Sequence, residues 1–236
     1  GMEVAEKVFR QVQPTVIFVK HFDDGVSVKS GETAFEVNAR VHTILQCERL
    51  VLNCMQRMSG IATLTKKYTD KLKGYTTKIL DTRKTTPNFR LLEKEAVRIG
   101  GAGNHRMGLY DMIMLKDNHV DYAGGLENAI QYAHEYVQLN KPGIKIEIET
   151  RALDDVKRVA RFGQEKVHRI MLDNFTPAMI VEAMKIIKGN FETEASGGIN
   201  LENLIQYAET GVDYISIGAL IHQAQSLDLS LKAVIN

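Results

Sequence analysis

The feature that most narrows the fold of this chain is a regular beat of short apolar runs, each closed by a polar residue or glycine. They are Lys78-Ile79-Leu80-Asp81, Met112-Ile113-Met114-Leu115-Lys116, Ile146-Glu147-Ile148-Glu149, Ile170-Met171-Leu172-Asp173, Thr193-Glu194-Ala195-Ser196 and Tyr214-Ile215-Ser216-Ile217-Gly218. The closing residues are 35, 33, 24, 23 and 22 positions apart, and the last three intervals each fit one strand plus one helix with short loops. Helical patterns fill those gaps at Leu153 to Val159, Pro177 to Ile187 and Leu201 to Glu209. Such alternation predicts an α/β fold with a parallel sheet, doubly wound or closed as a (β/α) barrel, and here a barrel that is incomplete. Parallel sheets place their sites at the carboxyl ends of strands, so Asp81, Lys116, Glu149, Asp173, Ser196 and Gly218 are expected around one mouth.

Ahead of the beat the pattern changes. Apolar residues at Val4, Ala5, Val8, Phe9 and Val12 predict a helix over Met2 to Val12. Strands are predicted at Thr15 to Val19 and Thr33 to Val37, with a turn at Asp23-Asp24-Gly25. This is a small α+β, sandwich-like piece with too little apolar surface to stand alone. A helical pattern then runs from Val41 to about Lys73, with Arg49, Asn53, Gln56 and Arg57 embedded in it and Gly60 expected to bend or break it. The predicted organisation is a remnant of a small domain over 1–52 and an α/β barrel over 53–236, with a C-terminal tail packing back on the small domain.

Composition removes several functions. A net charge of +1 in 236 residues leaves no basic excess for a nucleic-acid footprint. No apolar run suits a bilayer span and no signal peptide opens the chain, so the expectation is a cytoplasmic protein without a membrane partner. Cys47 and Cys54, seven apart in an apolar helix, read as free thiols of a reducing compartment. The charge is nevertheless uneven: residues 83–119 hold seven Arg or Lys against four acids, and 147–213 hold twelve acids against eight bases. That predicts a basic anion pocket facing an acidic, metal-capable half, although solvated helix faces give the same tally.

The individual candidates follow. Arg83, Lys84, His105 and Arg106 sit among turn residues and could bind carboxylates or phosphates, arginine offering a planar fork; the alternative is surface charge on long loops. Gly100-Gly101-Ala102-Gly103 lacks the final glycine and preceding strand of a dinucleotide loop. Lys116 is an anion ligand, a Schiff-base nucleophile or an outward structural lysine. Glu149 and Asp173 could hold Mg²⁺ and sugar hydroxyls, or pair with the basic cluster. Glu147 shares a strand face with Glu149 and could support it. Ser196-Gly197-Gly198 and Gly218-Ala219 could present backbone N–H groups to a phosphate, though left-handed turns need glycine in any case. His42 and His134, in helical runs, read as structural.

Several long motifs then carry a resemblance. They are Asn53-Cys54-Met55-Gln56-Arg57-Met58-Ser59-Gly60-Ile61-Ala62-Thr63, Asp81-Thr82-Arg83-Lys84-Thr85-Thr86-Pro87, Asn104-His105-Arg106, Leu115-Lys116-Asp117-Asn118-His119, Leu172-Asp173-Asn174-Phe175, Ser196-Gly197-Gly198-Ile199 and Gly211 to Ala219. In order and over nearly the whole chain, they resemble the quinolinate phosphoribosyltransferase family, the carboxylating nicotinate-nucleotide pyrophosphorylases of NAD synthesis. The resemblance implies transfer of phosphoribosyl from phosphoribosyl pyrophosphate to quinolinate, giving nicotinate mononucleotide, pyrophosphate and CO₂. It assigns Arg83, His105, Arg106 and Lys116 to the quinolinate pocket, and Lys84, Glu149 and Asp173 to ribose, pyrophosphate and Mg²⁺. It assigns Ser196, Gly197, Gly198, Gly218, Ala219 and His222 to the 5′-phosphate. Arg49 would reach a neighbouring subunit's site, making a homodimer, or a higher oligomer built from it, necessary for activity.

The resemblance also implies a segment ahead of Gly1, so the small domain reads as N-terminally truncated, naturally short or altered at its Gly-Met start. Asn88 stands where the family commonly has glycine, which puts the conformation of that loop in question. Three rivals remain: a same-fold paralogue with another acceptor, such as those associated with molybdenum transport; a Schiff-base lyase using Lys116; and a binding protein without catalysis.

Overall fold

The computed structural model describes residues 1–234, which form two compact units. The first comprises Gly1–Lys67, Thr85–Ala102 and the residues from Leu220 onward; the second comprises Tyr68–Lys84 and Gly103–Ala219.

In the first unit, helix α1 (Met2–Val12) buries Ala5 and Phe9, as its apolar spacing requires. Strands β1 (Ile17–Lys20) and β2 (Phe35–Asn38) pair antiparallel from Ile17↔Asn38 to Lys20↔Phe35. Phe18 and Phe35 stack with centroids 4.7 Å apart, and Phe9 meets both edge-on or tilted at 6.1 and 6.4 Å. Val16, Cys47, Val51 and Met55 complete this core. Both cysteines are buried free thiols, and burial pushes their pKa values up.

Helix α2 (Val41–Lys71) is a single 31-residue element. The expected break at Gly60 does not occur. A Cβ there would stand 2.0 Å from the Gln225 carbonyl oxygen, so the glycine lets the C-terminal segment lie against the helix backbone. That segment is held by Leu227 N–H to Gln56 O and by Gln56 Nε2 to Leu229 O. Arg57 donates to the carbonyls of Ile221 and Ala224 and to Glu93 Oε1. Glu93, fully buried on α3 (Arg90–Ile99), also accepts from Thr86 N–H and Oγ1. One buried carboxylate thus ties together a helix, a loop and the tail. Asn88 adopts φ 60°, so the asparagine keeps the left-handed turn that the family's glycine would favour.

The second unit is a six-stranded parallel sheet of β3 (Lys78–Leu80), β4 (Ile113–Leu115), β5 (Ile146–Thr150), β6 (Arg169–Asp173), β7 (Glu192–Ser196) and β8 (Tyr214–Ser216). Its order is β3-β8-β7-β6-β5-β4, that of a sequential barrel opened between β3 and β4. Helices α4 (Asp117–Tyr122), α5 (Leu126–Asn140), α6 (Leu153–Phe162), α7 (Pro177–Ile187) and α8 (Leu204–Ala208) connect successive strands. Gly103 bridges to Leu80 beside β3, while His105, two residues on, lies 3.1 Å from Glu147 of β5. Flat, β3 and β5 would stand about 19 Å apart across four strand spacings, so the sheet is rolled and its edges face each other.

Period two then sorts the side chains. Ile148, Ile170, Leu172, Ala195 and Ile215 are 0% exposed and pack toward the helices. Glu147, Glu149, Arg169, Met171, Asp173, Glu192, Glu194 and Ser196 alternate with them and face inward, in register Glu147↔Arg169, Glu149↔Met171, Met171↔Glu194 and Asp173↔Ser196. Helix α7 opens as its sequence suggests, with Pro177 in its first turn and Thr176 Oγ1 accepting from Met179 N–H at 3.3 Å. Helix α8 starts later than its apolar pattern predicts, because Asn200 Oδ1 accepts the N–H groups of Glu202 and Asn203 and holds them in a turn. Among the described residues no helix is long and apolar enough to cross a membrane.

Candidate active site

The carboxyl ends of the barrel strands carry the candidates in a ring. Lys116 follows β4, Glu149 lies near the end of β5, Asp173 and Ser196 close β6 and β7, and Gly218 follows β8. Lys116 Nζ is 2.5 Å from Glu149 Oε2, and its backbone N–H donates to His119 Nδ1 at 2.9 Å. Ser196 Oγ donates to Asp173 Oδ1 at 2.6 Å, and Asn174 Nδ2 to Oδ2 at 2.7 Å. The turn after Ser196 requires glycine: Gly197 has φ 93°, and a Cβ there would meet Asn174 Oδ1 at 2.2 Å. Gly198 follows with φ 62°, so the backbone of this turn is bare of side chains beside the Asp173 carboxylate.

The cations enter beside β3. Asp81, fully buried, accepts from His105 N–H at 2.8 Å and from Asn104 Nδ2 at 2.6 Å, which pins the Asn104-His105-Arg106 segment to the strand end. Arg106 Nη1 reaches Met112 O at 3.3 Å, and Nη2 lies 3.7 Å from Met114 Sδ. Burial and then the charge of nearby Arg83 lower the Arg106 pKa. A guanidinium held where burial and a second cation disfavour its charge makes a place that gains from an anion. Lys84 is exposed, and its N–H donates to Thr82 Oγ1.

His105 is placed differently from the rest. It is 7% exposed and sits inside the barrel below the rim. Its Nδ1 accepts from Arg106 N–H at 2.7 Å, and its Nε2 stands 3.1 Å from Glu147 Oε2 and 3.4 Å from Glu194 Oε2. Arg169 Nη1 lies 2.7 Å from Glu194 Oε2, and its Nη2 lies 2.9 Å from Glu192 Oε2, with the guanidinium 4.0 Å over the Tyr214 ring. Neither Arg169 nor Glu194 is among the candidate residues that the sequence singles out. Their signal was the charged residues spaced two apart, Glu147 with Glu149 and Glu192 with Glu194, in strands otherwise apolar enough to be buried on both faces.

Arg49, exposed on α2, and His222, exposed at the end of α9 (Ala219–His222), belong to the first unit; the remaining candidates belong to the second. For a divalent cation, Glu149 and Asp173 offer hard oxygens at the rim with lone pairs still available, which suits Mg²⁺, an ion that takes one or two carboxylates and completes its shell from water and phosphate. His105, Glu147 and Glu194 also lie within ligand distance of one another. Arg169 already supplies positive charge there, so that trio suits a cation less well.

The chain matches the model of the quinolinate phosphoribosyl transferase C-terminal domain over residues 61–232 and that of the N-terminal domain over residues 1–59. It is 43% identical to the mitochondrial quinolinate phosphoribosyltransferase [decarboxylating] 2 of Nicotiana glauca, over 98% of this chain and 69% of that protein. It is 40% identical to the probable nicotinate-nucleotide pyrophosphorylase [carboxylating] of Bacillus subtilis, over 100% of this chain and 80% of that one. Among solved structures, NadC of Streptococcus pyogenes superimposes with a TM-score of 0.91 at 40% identity, covering 99% of this chain and 80% of that chain. Two domain matches, relatives at 40% identity or more and a shared fold therefore agree: the chain belongs to the quinolinate phosphoribosyltransferase family.

Proposed function

We propose that the rim binds quinolinate and phosphoribosyl pyrophosphate together and joins them, releasing pyrophosphate and CO₂ and leaving nicotinate mononucleotide for NAD synthesis. The observation that carries this reading is Arg106, with Arg83 near it and its guanidinium against Met114 two residues before Lys116, set against Glu149 and Asp173 on the strands that follow β4. Arg83, Arg106 and Lys116 take the two carboxylates of the diacid and aim its ring nitrogen at the anomeric carbon. Attack there builds oxocarbenium character on the ribose, which Glu149 and Asp173 stabilise, while Lys84 offsets charge on the departing pyrophosphate. Mg²⁺ held by Glu149 and Asp173 would neutralise the pyrophosphate. The Ser196–Gly198 turn and the Gly218–Ala219 segment, with His222, hold the 5′-phosphate through N–H groups. The ring nitrogen is positive once the bond has formed, so it stabilises the electron pair left on the adjacent ring carbon as CO₂ departs, and that carbon then takes a proton from water to give nicotinate mononucleotide.

Lys116 is paired with Glu149 and its side chain is 46% exposed, instead of enclosed in the apolar surroundings that a Schiff-base lysine needs. A homodimer completes the site, with Arg49 extending to the neighbouring subunit. Exposed Val41, Leu45 and Leu50 around Arg49 on α2 support a protein partner on that face.

The test is pyrophosphate release from the two substrates with Mg²⁺. Arg106→Ala is expected to fold and to raise the KM for quinolinate by about 100-fold, the loss of a charge-assisted fork. Wild-type protein that releases no quinolinate-dependent pyrophosphate, or a variant that still saturates at low quinolinate, would overturn the assignment.

A further inference from the structure

The guanidinium of Arg57, part-buried on α2, joins two places in the first unit that the proposed chemistry uses separately. Nη2 donates to Ile221 O at 2.8 Å and Nη1 to Ala224 O at 2.7 Å. Those carbonyls flank one turn, closed by Ala224 N–H to Ile221 O at 3.2 Å, and His222 lies inside it. On its other side Nε of Arg57 donates to Glu93 Oε1 at 2.9 Å. Glu93 is 0% exposed and accepts from Thr86 twice, N–H to Oε2 at 2.8 Å and Oγ1 to Oε1 at 2.9 Å. Thr86 in turn opens the bend closed by Phe89 N–H at 3.1 Å and stands two positions after Lys84. Stability alone does not call for this arrangement. Desolvation cancels much of what a buried ion pair gains, and hydrocarbon of the same volume often serves a fold as well. What hydrocarbon lacks is direction: charge-assisted hydrogen bonds hold both segments at set distances from one carboxylate.

We propose that Arg57 and Glu93 are positioning residues for phosphoribosyl pyrophosphate: the pair sets the spacing between the bend that follows Lys84 and the turn that carries His222, so that one substrate is gripped at both phosphate ends at once. This rests on the reading that Lys84 meets the pyrophosphate and His222 the 5′-phosphate. Neither Arg57 nor Glu93 touches the substrate. Each acts through a neighbour, Glu93 through Thr86 and Arg57 through the Ile221 and Ala224 carbonyls. Two contacts to one molecule reinforce each other only when their separation matches it, so an error in spacing weakens the whole ligand and spares its halves.

Steady-state kinetics test it. Glu93→Gln keeps the shape of the side chain but removes the charge that joins Arg57 to Thr86, and it is expected to raise the KM for phosphoribosyl pyrophosphate about 10-fold. The KM for quinolinate is expected to stay within about threefold, because this pair holds neither Arg106 nor Lys116. Ribose 5-phosphate and pyrophosphate, each added alone as an inhibitor, are expected to bind within about twofold of their wild-type affinities, since neither spans the two segments. A merely structural role would shift all of these constants together. Equal rises in both KM values, no rise in either, or a loss of affinity for one half as large as that for the whole substrate overturns the proposal. Should Glu93→Gln fail to fold, Thr86→Val, at an exposed residue, removes only the Oγ1 bond. It is expected to raise the KM for phosphoribosyl pyrophosphate about threefold with that for quinolinate unchanged, and no rise overturns the proposal. Wild-type protein without quinolinate-dependent pyrophosphate release would defeat the proposed function, whereas an active wild type whose variants show no such selectivity would defeat only this inference.

Discussion

The two faces of the parallel sheet are built on opposite terms. Outward, Ile148, Ile170, Leu172, Ala195 and Ile215 meet helices through non-directional contact, and each is fully buried. Inward, Arg169, Glu147, Glu194 and His105 are also buried, but each depends on a named partner at a fixed distance. The outer layer loses stability in proportion to the atoms removed; the inner layer fails when one member leaves, since its partner is then a buried, uncompensated charge. The lesson is that burial in this barrel does not by itself mark the stabilising core.

The sharpest break is Arg169→Met. Removing the guanidinium strands Glu194 and Glu147, with an expected loss of about 3–5 kcal/mol in urea unfolding. The double variant Arg169→Met, Glu194→Leu is expected to regain most of that stability while activity stays low. Equal losses for single and double variants would show that the inner face behaves like the outer one. Next is Ile170→Ala, expected to cost about 3–4 kcal/mol while leaving both KM values unchanged in folded protein; a shifted quinolinate KM would mean that the two faces are not separable.

A smaller effect comes from pH. Burial lowers the His105 pKa, but Glu147 and Glu194 outweigh it and raise it from 6.5 to about 9, so the folded state binds more protons and stability falls as pH rises from about 6.5 through about 9. Unfolding curves across that range should show the decline in wild type and a flatter profile in His105→Gln. Least of all is Asn88→Gly. Asparagine already holds φ 60°, so the expected change in stability is within about 0.5 kcal/mol, and a larger gain would mean that the loop is strained.

Much of the sheet was legible because its later strands end at near-equal intervals of 24, 23 and 22 residues. The ring from Lys116 to Gly218 follows from those intervals and from where parallel sheets put their chemistry. What was not legible needed distance in three dimensions. Gly60 looks like a helix breaker until the Gln225 carbonyl is seen against it. Histidine beside arginine reads as a second ligand, and no pattern along the chain reveals that its ring turns inward to acids 42 and 89 positions later. Asp81, expected at the open mouth, is buried because the backbone N–H of His105 needs its carboxylate. Hydrophobic periodicity reports which side of a strand is covered, and it is blind to whether charge or hydrocarbon does the covering.

Among the described residues no strand pairing joins β3 to β4; the segment from Gly103 to His105 is instead fastened to β3 by the Leu80–Gly103 bridge and by the grip of Asp81 on Asn104 and His105. The stretch that would choose the acceptor is thus a patch over a gap and not a rung of any ladder. Evolution can redraw such a patch without unzipping a sheet, so a scaffold of this plan is free to exchange one acid for another while the strands that would grip sugar and phosphate stay as they are.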